Sequence, residues 1–475
     1  MTGPDIPTVC SRPAVQKRQQ RSERRFHGAP WADILQQRAD NLTELVRILS
    51  AGSGFYRAAL APFAGHRFIS IEEIAALPFT TRDDLLAAAP LGTVLQGRLP
   101  QAYYESTGTT GAPLPGFPDL SPEKAASFAS FLDQWMGLSR AKISTALIAL
   151  AYEMTPAGFR FQLALPYLGI TVIPCGVRST VCPPEKTVQL IERLDPGAIF
   201  SRPFELLRFG DVLTERGVLP GHIAPLKLFH LGEIMSRAKH RRIETLWGGA
   251  ELFGQYGLTE VDSGLHGCHL GCYHEPSNPF IHVELIEPGG AAVTEHGQWG
   301  EVVFTTLRSS HAPLVRYRTG DLARCVDCAC GDPGNAYELR GRIRDGIEFR
   351  GRTLFPITLE EFLFADPDIG NEHLLIALPE GRLGLRVEQA FGSTAPLGEV
   401  ADRLAGTISG ALEIEPVVEV TKYGALADKL GIPRKKGGRF TDVRGLSAEE
   451  AASELRINVI DSGVFRSPSG SLLAL

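Results

Sequence analysis

The chain has 475 residues, 48 Lys and Arg against 54 Asp and Glu, a formal net charge of -6 and 44% hydrophobic residues. At roughly 150 residues per domain this gives room for two to four domains, and the composition packs a core, which excludes disorder along most of the length. Mild acidity gives no electrostatic case for nucleic acid or for an anionic membrane surface.

Residues 1–28 are polar and basic, with Lys17, Arg18, Arg21, Arg24 and Arg25 but no sustained apolar run. They read as a flexible arm and not as a secretory signal. No stretch is long and apolar enough for a spanning helix, so the expected location is cytoplasmic. Ile34, Leu35, Leu42, Leu45, Val46, Ile48 and Leu49 recur at helical spacing across 31–51. Two short helices are expected within 70–90, the second capped by Thr80-Thr81 ahead of Asp83-Asp84. From about 145 to 305 the pattern alternates, with apolar strands and amphipathic helices following one another as far as 257, which predicts a parallel α/β sheet covered on both faces. Residues 282–325 read as antiparallel β, and a smaller α/β unit follows 345. The fold class expected is therefore α/β. A large N-terminal domain, 29–342, holds parallel α/β sheets and a β subdomain. A small α+β C-terminal domain with a tail covers 343–475.

Four segments carry chemistry. Ser106-Thr107-Gly108-Thr109-Thr110-Gly111 is rich in N–H and O–H donors, the makeup of a phosphate-wrapping loop. An ordinary Gly/Thr turn reads the same, and the absence of a following Lys-Ser or Lys-Thr excludes a Walker A loop. Gln255-Tyr256-Gly257-Leu258-Thr259-Glu260 ends a predicted strand, where ligands of open α/β sheets sit. There an aromatic can stack on a base and a Glu can hold Mg²⁺, although a capping turn fits too. Arg316-Tyr317-Arg318-Thr319-Gly320-Asp321 places an Asp that can accept from ribose hydroxyls, or is a plain Gly-Asp turn. Gly341-Arg342-Ile343-Arg344-Asp345 concentrates cations at the domain break, either for phosphate or as a solvated linker.

In this order and spacing the four segments resemble the adenylate-forming superfamily of acyl/aryl-CoA ligases, and within it the phenylacetate–CoA ligase-like branch. FYRAAL (55–60), LPFTTRDDL (77–85), STGTTG, GLTE, YRTGDLA and GRIRDGIEFRGRTLFP carry the likeness, over about 40–440. The resemblance implies ATP-dependent activation of a carboxylic acid as acyl-AMP, rotation of the small domain, and transfer to the thiol of CoA. Catalysis of this kind is mostly positioning and charge stabilisation at phosphorus. Carried over by position, Ser106, Thr107, Gly108, Thr109, Thr110 and Gly111 cradle the β/γ-phosphates. Gly232, Glu233, Gln255, Tyr256 and Gly257 line the adenine pocket. Thr259 meets the α-phosphate, Glu260 the Mg²⁺, Asp321 the ribose, and Arg342 phosphate or ribose, with a hinge near Arg344. The acyl slot implied is Tyr152, Phe159, Phe161, Gln162, Gly232, Phe253 and Tyr256. It is apolar and suits an aryl or arylacetic acid, while Phe159 and Phe161 taken singly read as core.

The chain departs from the pattern twice. Relatives place Lys soon after the phosphate loop, and here Gly111-Ala112-Pro113 stands. Relatives carry a catalytic Lys near the C-terminus, and here ungapped alignment puts Gly438, with Lys435 and Lys436 as substitutes through a shifted loop. Three readings stay open: acid–CoA ligase; acyl-AMP formation with transfer to an amine or a carrier-protein thiol; and a nucleotide-binding protein that has lost catalysis. A homodimer is compatible with each.

Eight cysteines include five between 268 and 330, and clustering of that kind in a chain without a signal points to metal. Thiolates with imidazole suit structural Zn²⁺. His266, Cys268, His269, Cys272, His274, Cys325, Cys328 and Cys330 are the candidates. The resemblance selects Cys268, His274, Cys328 and Cys330, with Cys272 and Cys325 spare.

Overall fold

The computed structural model describes residues 30–106, 112–177, 179–223, 225–261, 263–308, 311–349, 351–378, 382–426 and 440–444. Thr107, Gly108, Thr109, Thr110, Gly111, Lys435, Lys436, Gly438, the N-terminal arm and the last 31 residues lie outside that set.

Helix α1 (Trp31–Gly52) buries Ile34, Leu42, Leu45, Val46 and Leu49 along one stripe. Of the two helices expected within 70–90, the first is a 3-10 segment, Ile71–Ala76, and the second is α2 (Arg82–Ala88). The 3-10 segment stops at an extended Leu77, the conformation that a following proline imposes. The later helices are α3 (Pro122–Met136), α4 (Ala157–Ala164), α5 (Pro184–Leu194), α6 (Pro203–Glu215), α7 (Arg237–Leu246), α8 (Pro356–Ala365) and α9 (Leu397–Leu412).

Strands β1 (Tyr104–Glu105) and β2 (Pro115–Gly116) form a small hairpin. The main sheet holds β3 (Thr145–Ile148), β4 (Thr171–Pro174), β5 (Ala198–Ser201), β6 (Lys227–Leu231), β7 (Glu251–Gly257), β8 (Gly264–Gly267), β9 (Tyr273–His274), β10 (Ile281–Ile286), β11 (Trp299–Thr306), β12 (Tyr317–Val326) and β13 (Ala336–Arg342). Its 11 strands run in the order β10-β11-β12-β13-β9-β8-β7-β6-β5-β3-β4. Strands β3 to β7 pair in parallel, and every pairing from β7 onward is antiparallel. The expected parallel sheet and β subdomain are thus two stretches of one mixed sheet. They join at β7, because the turn after Gly257 is short enough for β8 to fold straight back.

Alternation along the parallel strands splits the core in two. Leu228 and Leu252 face α5, α6 and α7, where Trp247 is fully buried and its indole N–H donates to the Leu206 carbonyl. Phe229 and Phe253 face α3 and α4. A third apolar cluster belongs to the C-terminal elements β14 (Ile347–Phe349), β15 (Arg352–Leu354), β16 (Ile369–Leu378), β17 (Arg382–Gln389) and β18 (Pro416–Thr421), with α8 and α9; β19 (Phe440–Asp442) pairs beside β16. Their four-stranded sheet has the order β18-β17-β16-β19. It meets the main body at α6 and α7: Glu361 accepts from the Arg237 and Ala238 backbone N–H groups, and Arg242 donates to the Asp366 and Ile369 carbonyls. No helix among the described residues is long and apolar enough to cross a membrane.

Candidate active site

The parallel strands end along one edge of the sheet, and the predicted site residues follow those ends. Gly232 leaves β6 with φ +87°, a backbone turn that glycine tolerates. The next residue, Glu233, stands between Arg202 (3.9 Å) and Lys239 (3.8 Å). Beyond β7, Thr259 packs against the β1–β2 hairpin so closely that a Cβ at Gly116 would lie 2.3 Å from the Thr259 carbonyl oxygen. Ser106 closes the mouth of that hairpin: its N–H donates to the Leu114 carbonyl at 2.8 Å, and its Oγ accepts from the Leu114 N–H at 2.8 Å. The hairpin base that flanks residues 107–111 is therefore held against Thr259.

Two tyrosine–carboxylate pairs join the β7 end to β12. Tyr256 donates to Asp321 Oδ2 at 2.7 Å, and Tyr317 donates to Glu260 Oε1 at 2.7 Å. Asp321 is 4% exposed and lies opposite Arg342 in the β12–β13 register, with Arg342 Nε 3.6 Å from Oδ1. Burial pushes the Asp321 carboxyl above its ordinary value, against the Tyr256 hydrogen bond and the Arg342 charge, which pull it down. Burial, then the adjoining carboxylates, raises both phenols far above theirs. Both tyrosines therefore stay donors at all physiological pH, which fixes the two carboxylates as acceptors. The Tyr256 ring packs on Phe304, centroids 6.0 Å apart, inside the apolar cluster below the site.

The residues placed in the acyl slot divide. Phe161 and Phe253 are core, among Phe128, Phe200, Phe229 and Trp135. Phe159 is part-exposed and meets Tyr152 edge-on at 5.0 Å. The Tyr152 hydroxyl is buried with no hydrogen-bond partner among the described residues, and burial raises it to about 12. A buried hydroxyl without a partner is a group that a bound polar atom would satisfy.

Cys268, His274, Cys328 and Cys330 converge so that their ligand atoms all lie within 4.8 Å of one another. Cys268 Sγ is 3.6 Å from Cys328 Sγ, and Cys330 Sγ is 3.2 Å from His274 Nε2. His274 Nδ1 donates to the Gly334 carbonyl at 3.3 Å, which leaves Nε2 with a lone pair toward the sulfurs. Three thiols and one imidazole in a closed set match a tetrahedral structural site. Cys272 adjoins Cys268 without joining the set of four, and Cys325 lies outside it. His266 instead bonds Asp332 at 2.6 Å.

No family model matches the chain. It is 29% identical over 323 residues to the phenylacetate–coenzyme A ligase of Aromatoleum evansii, covering 66% of this chain and 71% of that one. Against the enzyme of the same description from Thermus thermophilus it is 27% identical over 437 residues, 86% of this chain and 95% of the other. The chain is a homologue of the phenylacetate–CoA ligases. Its fold is that of an adenylate-forming ligase. A structure of 2-hydroxyisobutyryl-CoA ligase in the postadenylation state aligns with TM-score 0.73 at 17% identity, covering 95% of this chain and 96% of that one. The same ligase in its thioesterification state aligns with TM-score 0.56 at 18% identity, over the same shares of both chains.

One residue of this phenylacetate–CoA ligase-like chain was hidden from sequence reasoning. Arg82, first residue of α2, donates to the carbonyl of Ala112, which follows the Gly- and Thr-rich segment. The preceding Thr80 is stitched into β12 by its N–H to the Arg316 carbonyl (3.0 Å) and by its carbonyl accepting from Arg318 N–H (2.9 Å). Thr81 caps the helix reciprocally with Asp84. The Arg82 charge is felt at Tyr317 and Arg344. A signal for it exists in the sequence: a cation in a helix's first turn opposes the macrodipole, so it needs another reason to be there. Tyr317, which holds Glu260, was likewise read only as part of a motif.

Proposed function

We propose that the chain activates a carboxylic acid with ATP as acyl-AMP and transfers the acyl group to the thiol of CoA. The observation that carries this reading is the pair of tyrosine-held carboxylates, Asp321 and Glu260, facing a loop base at Thr259. Two acceptors, one for a ribose and one for a metal–phosphate group, stand with Thr259 packed on the hairpin base from which the donor-rich sequence 106–111 departs. That is what holding a nucleoside triphosphate requires. Phenylacetate–CoA ligases of like sequence support the reaction class, and Tyr152 with Phe159 supports an aromatic acid.

In this reading Asp321 accepts from the ribose hydroxyls, with Tyr256 and Arg342 setting its orientation and charge. Glu260, held by Tyr317, is the residue for Mg²⁺, whose charge offsets the phosphates when bound. Thr259 contacts the α-phosphate, and Gly232, Glu233, Gln255 and Gly257 border the base. Arg82 supplies the counter-charge that Ala112 lacks. Residues 29–342 and 343–475 act as a large and a small domain hinged near Arg344. Cys268, His274, Cys328 and Cys330 hold Zn²⁺, which ties the β8–β9 turn to the end of β12 and leaves no open coordination position. Lys435 or Lys436 serves as the lysine that steadies the adenylation transition state.

Acid-dependent pyrophosphate–ATP exchange over a panel of aryl and aliphatic acids, with and without CoA, tests the reading. Exchange with aryl acids and thioester formation on adding CoA are expected. Exchange without thioester would favour an amine or carrier-protein acceptor. No exchange with any acid would sink the adenylation reading. Lys435→Ala and Lys436→Ala identify the lysine: one of them lowers exchange by orders of magnitude.

A further inference from the structure

Cys175 and Cys182 lie between β4 and α5, at the edge of the main sheet, and neither belongs to the metal set. Both thiols are free. The Cys175 thiol makes side-chain hydrogen bonds with the Cys182 thiol and with the Thr187 hydroxyl. The Cys182 sulfur is itself 3.5 Å from Thr187 Oγ1. That hydroxyl donates to the Pro183 carbonyl at 3.3 Å, which leaves its oxygen to accept from the thiols. One buried threonine in the first turn of α5 thus gathers both sulfurs.

The two cysteines differ in how firmly they are held. The Cys175 N–H donates to the Ile148 carbonyl at 3.0 Å, and the Gly176 N–H to the same carbonyl at 3.2 Å. The Cys175 side chain sits in the apolar cluster that holds Leu147, Val188 and Ile191, and burial pushes its thiol up to about 12. Cys182 is part-exposed, in irregular chain outside both β4 and α5 and next to an exposed Val181. Turning about its Cα–Cβ bond brings the sulfurs toward the roughly 2.05 Å of a disulfide and leaves sheet and helix in place. The position of the pair gives it a consequence. Ile148, which anchors Cys175, ends β3, and Tyr152 follows it. A Cβ at Gly176 would lie 3.9 Å from the Tyr152 ring, and the Cys175 thiol is among the groups that raise the Tyr152 hydroxyl. Asp321 and Glu260 lie on the other side of β5 and β6.

Resting on the reading of Tyr152 as part of the acyl slot, we propose that Cys175 and Cys182 are a reversible modification site: a hydroperoxide joins them as a disulfide, and the disulfide weakens binding of the acid. Cys182, the accessible thiol, attacks a peroxide oxygen. An S–O bond forms, the O–O bond breaks, and the departing oxygen takes the thiol proton and leaves as alcohol, or as water from hydrogen peroxide. Cys182 is then a sulfenic acid. The Cys175 sulfur attacks the Cys182 sulfur, the S–O bond breaks, and hydroxide leaves with the Cys175 proton as water. Two thiols are oxidised and one hydroperoxide is reduced, and a dithiol reductant reverses the change.

The purified full chain is treated with hydrogen peroxide, alkylated without reduction and mapped by mass spectrometry. A peptide pair joined through Cys175 and Cys182, lacking two hydrogens and released by dithiothreitol, is expected, and Cys182→Ser abolishes it. Peroxide that leaves both thiols open to alkylation, or joins either of them only to another cysteine, overturns the proposal. Mapping needs no catalysis, so it decides the pair even where no acid supports pyrophosphate exchange, an outcome that counts against adenylation alone. In the exchange assay the oxidised protein is expected to show a severalfold higher KM for the acid at unchanged KM for ATP, restored on reduction. Cys182→Ser, treated in parallel, keeps its KM although its metal cysteines meet the same peroxide. A joined pair with unchanged KM, or a rise that persists in Cys182→Ser, refutes the link to acid binding. Should Cys182→Ser melt early, Cys175→Ala must give the same two results.

Discussion

Replacing Tyr256 by Phe removes one donor from a carboxylate that is 4% exposed, and the consequence can be followed through pH. Asp321 already titrates above the ordinary carboxyl value, because burial outweighs the Tyr256 hydrogen bond and the Arg342 charge. A raised folded value means that folding favours the proton: this group's contribution to stability grows as pH falls through that value and declines above it. A hydrogen bond to a charged group contributes about 1.5–3 kcal/mol. Its loss raises the carboxyl by a further one to two pH units, roughly, at about 1.4 kcal/mol per unit. Only the ionised form accepts from both ribose hydroxyls, so the acid limb of kcat/KM for ATP is expected to shift upward by that amount. The KM for the acid should stay near wild type. The assay is pyrophosphate exchange between pH 5 and 9 at saturating acid. Phe keeps the ring on Phe304, so packing is preserved. An acid limb that stays where it was, in a variant that melts normally, would refute the assignment of Asp321 to the ribose.

Three further outcomes follow. Arg82→Ala should raise KM for ATP by about tenfold or more, the worth of one charged contact to phosphate, and Arg82→Lys should recover much of it; equal KM values in all three proteins would show that Arg82 serves only the fold. Cys268→Ser and Cys330→Ser should each abolish stoichiometric zinc, read by mass spectrometry of the purified protein, and lower the melting temperature. Cys325→Ser should retain one metal per chain. Arg38→Ala should destabilise the chain by about 3–5 kcal/mol in a urea melt. It strands the buried carboxylate of Glu275 and empties hydrogen bonds to the Pro276 and Asn278 carbonyls.

The alternating strands and helices from 145 to 257 were legible because each has a simple physical signature. Leu147, Ile199, Leu228 and Leu252 are buried on strands covered from both sides, and Val188 and Ile191 sit at helical spacing on α5. The resemblance also singled out Cys268, His274, Cys328 and Cys330, and the ligand atoms of those four come together in the fold. What sequence could not show were partnerships across long separations. Nothing in the spacing tells that Tyr256 spends its hydroxyl on Asp321, 65 residues away, or that Tyr317 holds Glu260, 57 residues back. Nor does the spacing tell that one face of the Tyr256 ring packs on Phe304, 48 residues on. Arg82 was absorbed into a capping pattern, which explains its neighbours but not its own charge. The fusion of the parallel and antiparallel parts was invisible for the same reason: it depends on β8 returning onto β7, a pairing set by the turn and not by composition.

That fusion at β7 has an evolutionary consequence. Tyr152 and Phe159 lie beyond β3, four places along the sheet from β8, whereas Asp321 and Arg342 lie on the antiparallel side. Changes at separated positions tend to act independently. Selection can therefore reshape the aromatic end for a new acid without loosening the grip on the nucleotide, and a single seam strand keeps the two ends in register while one of them drifts.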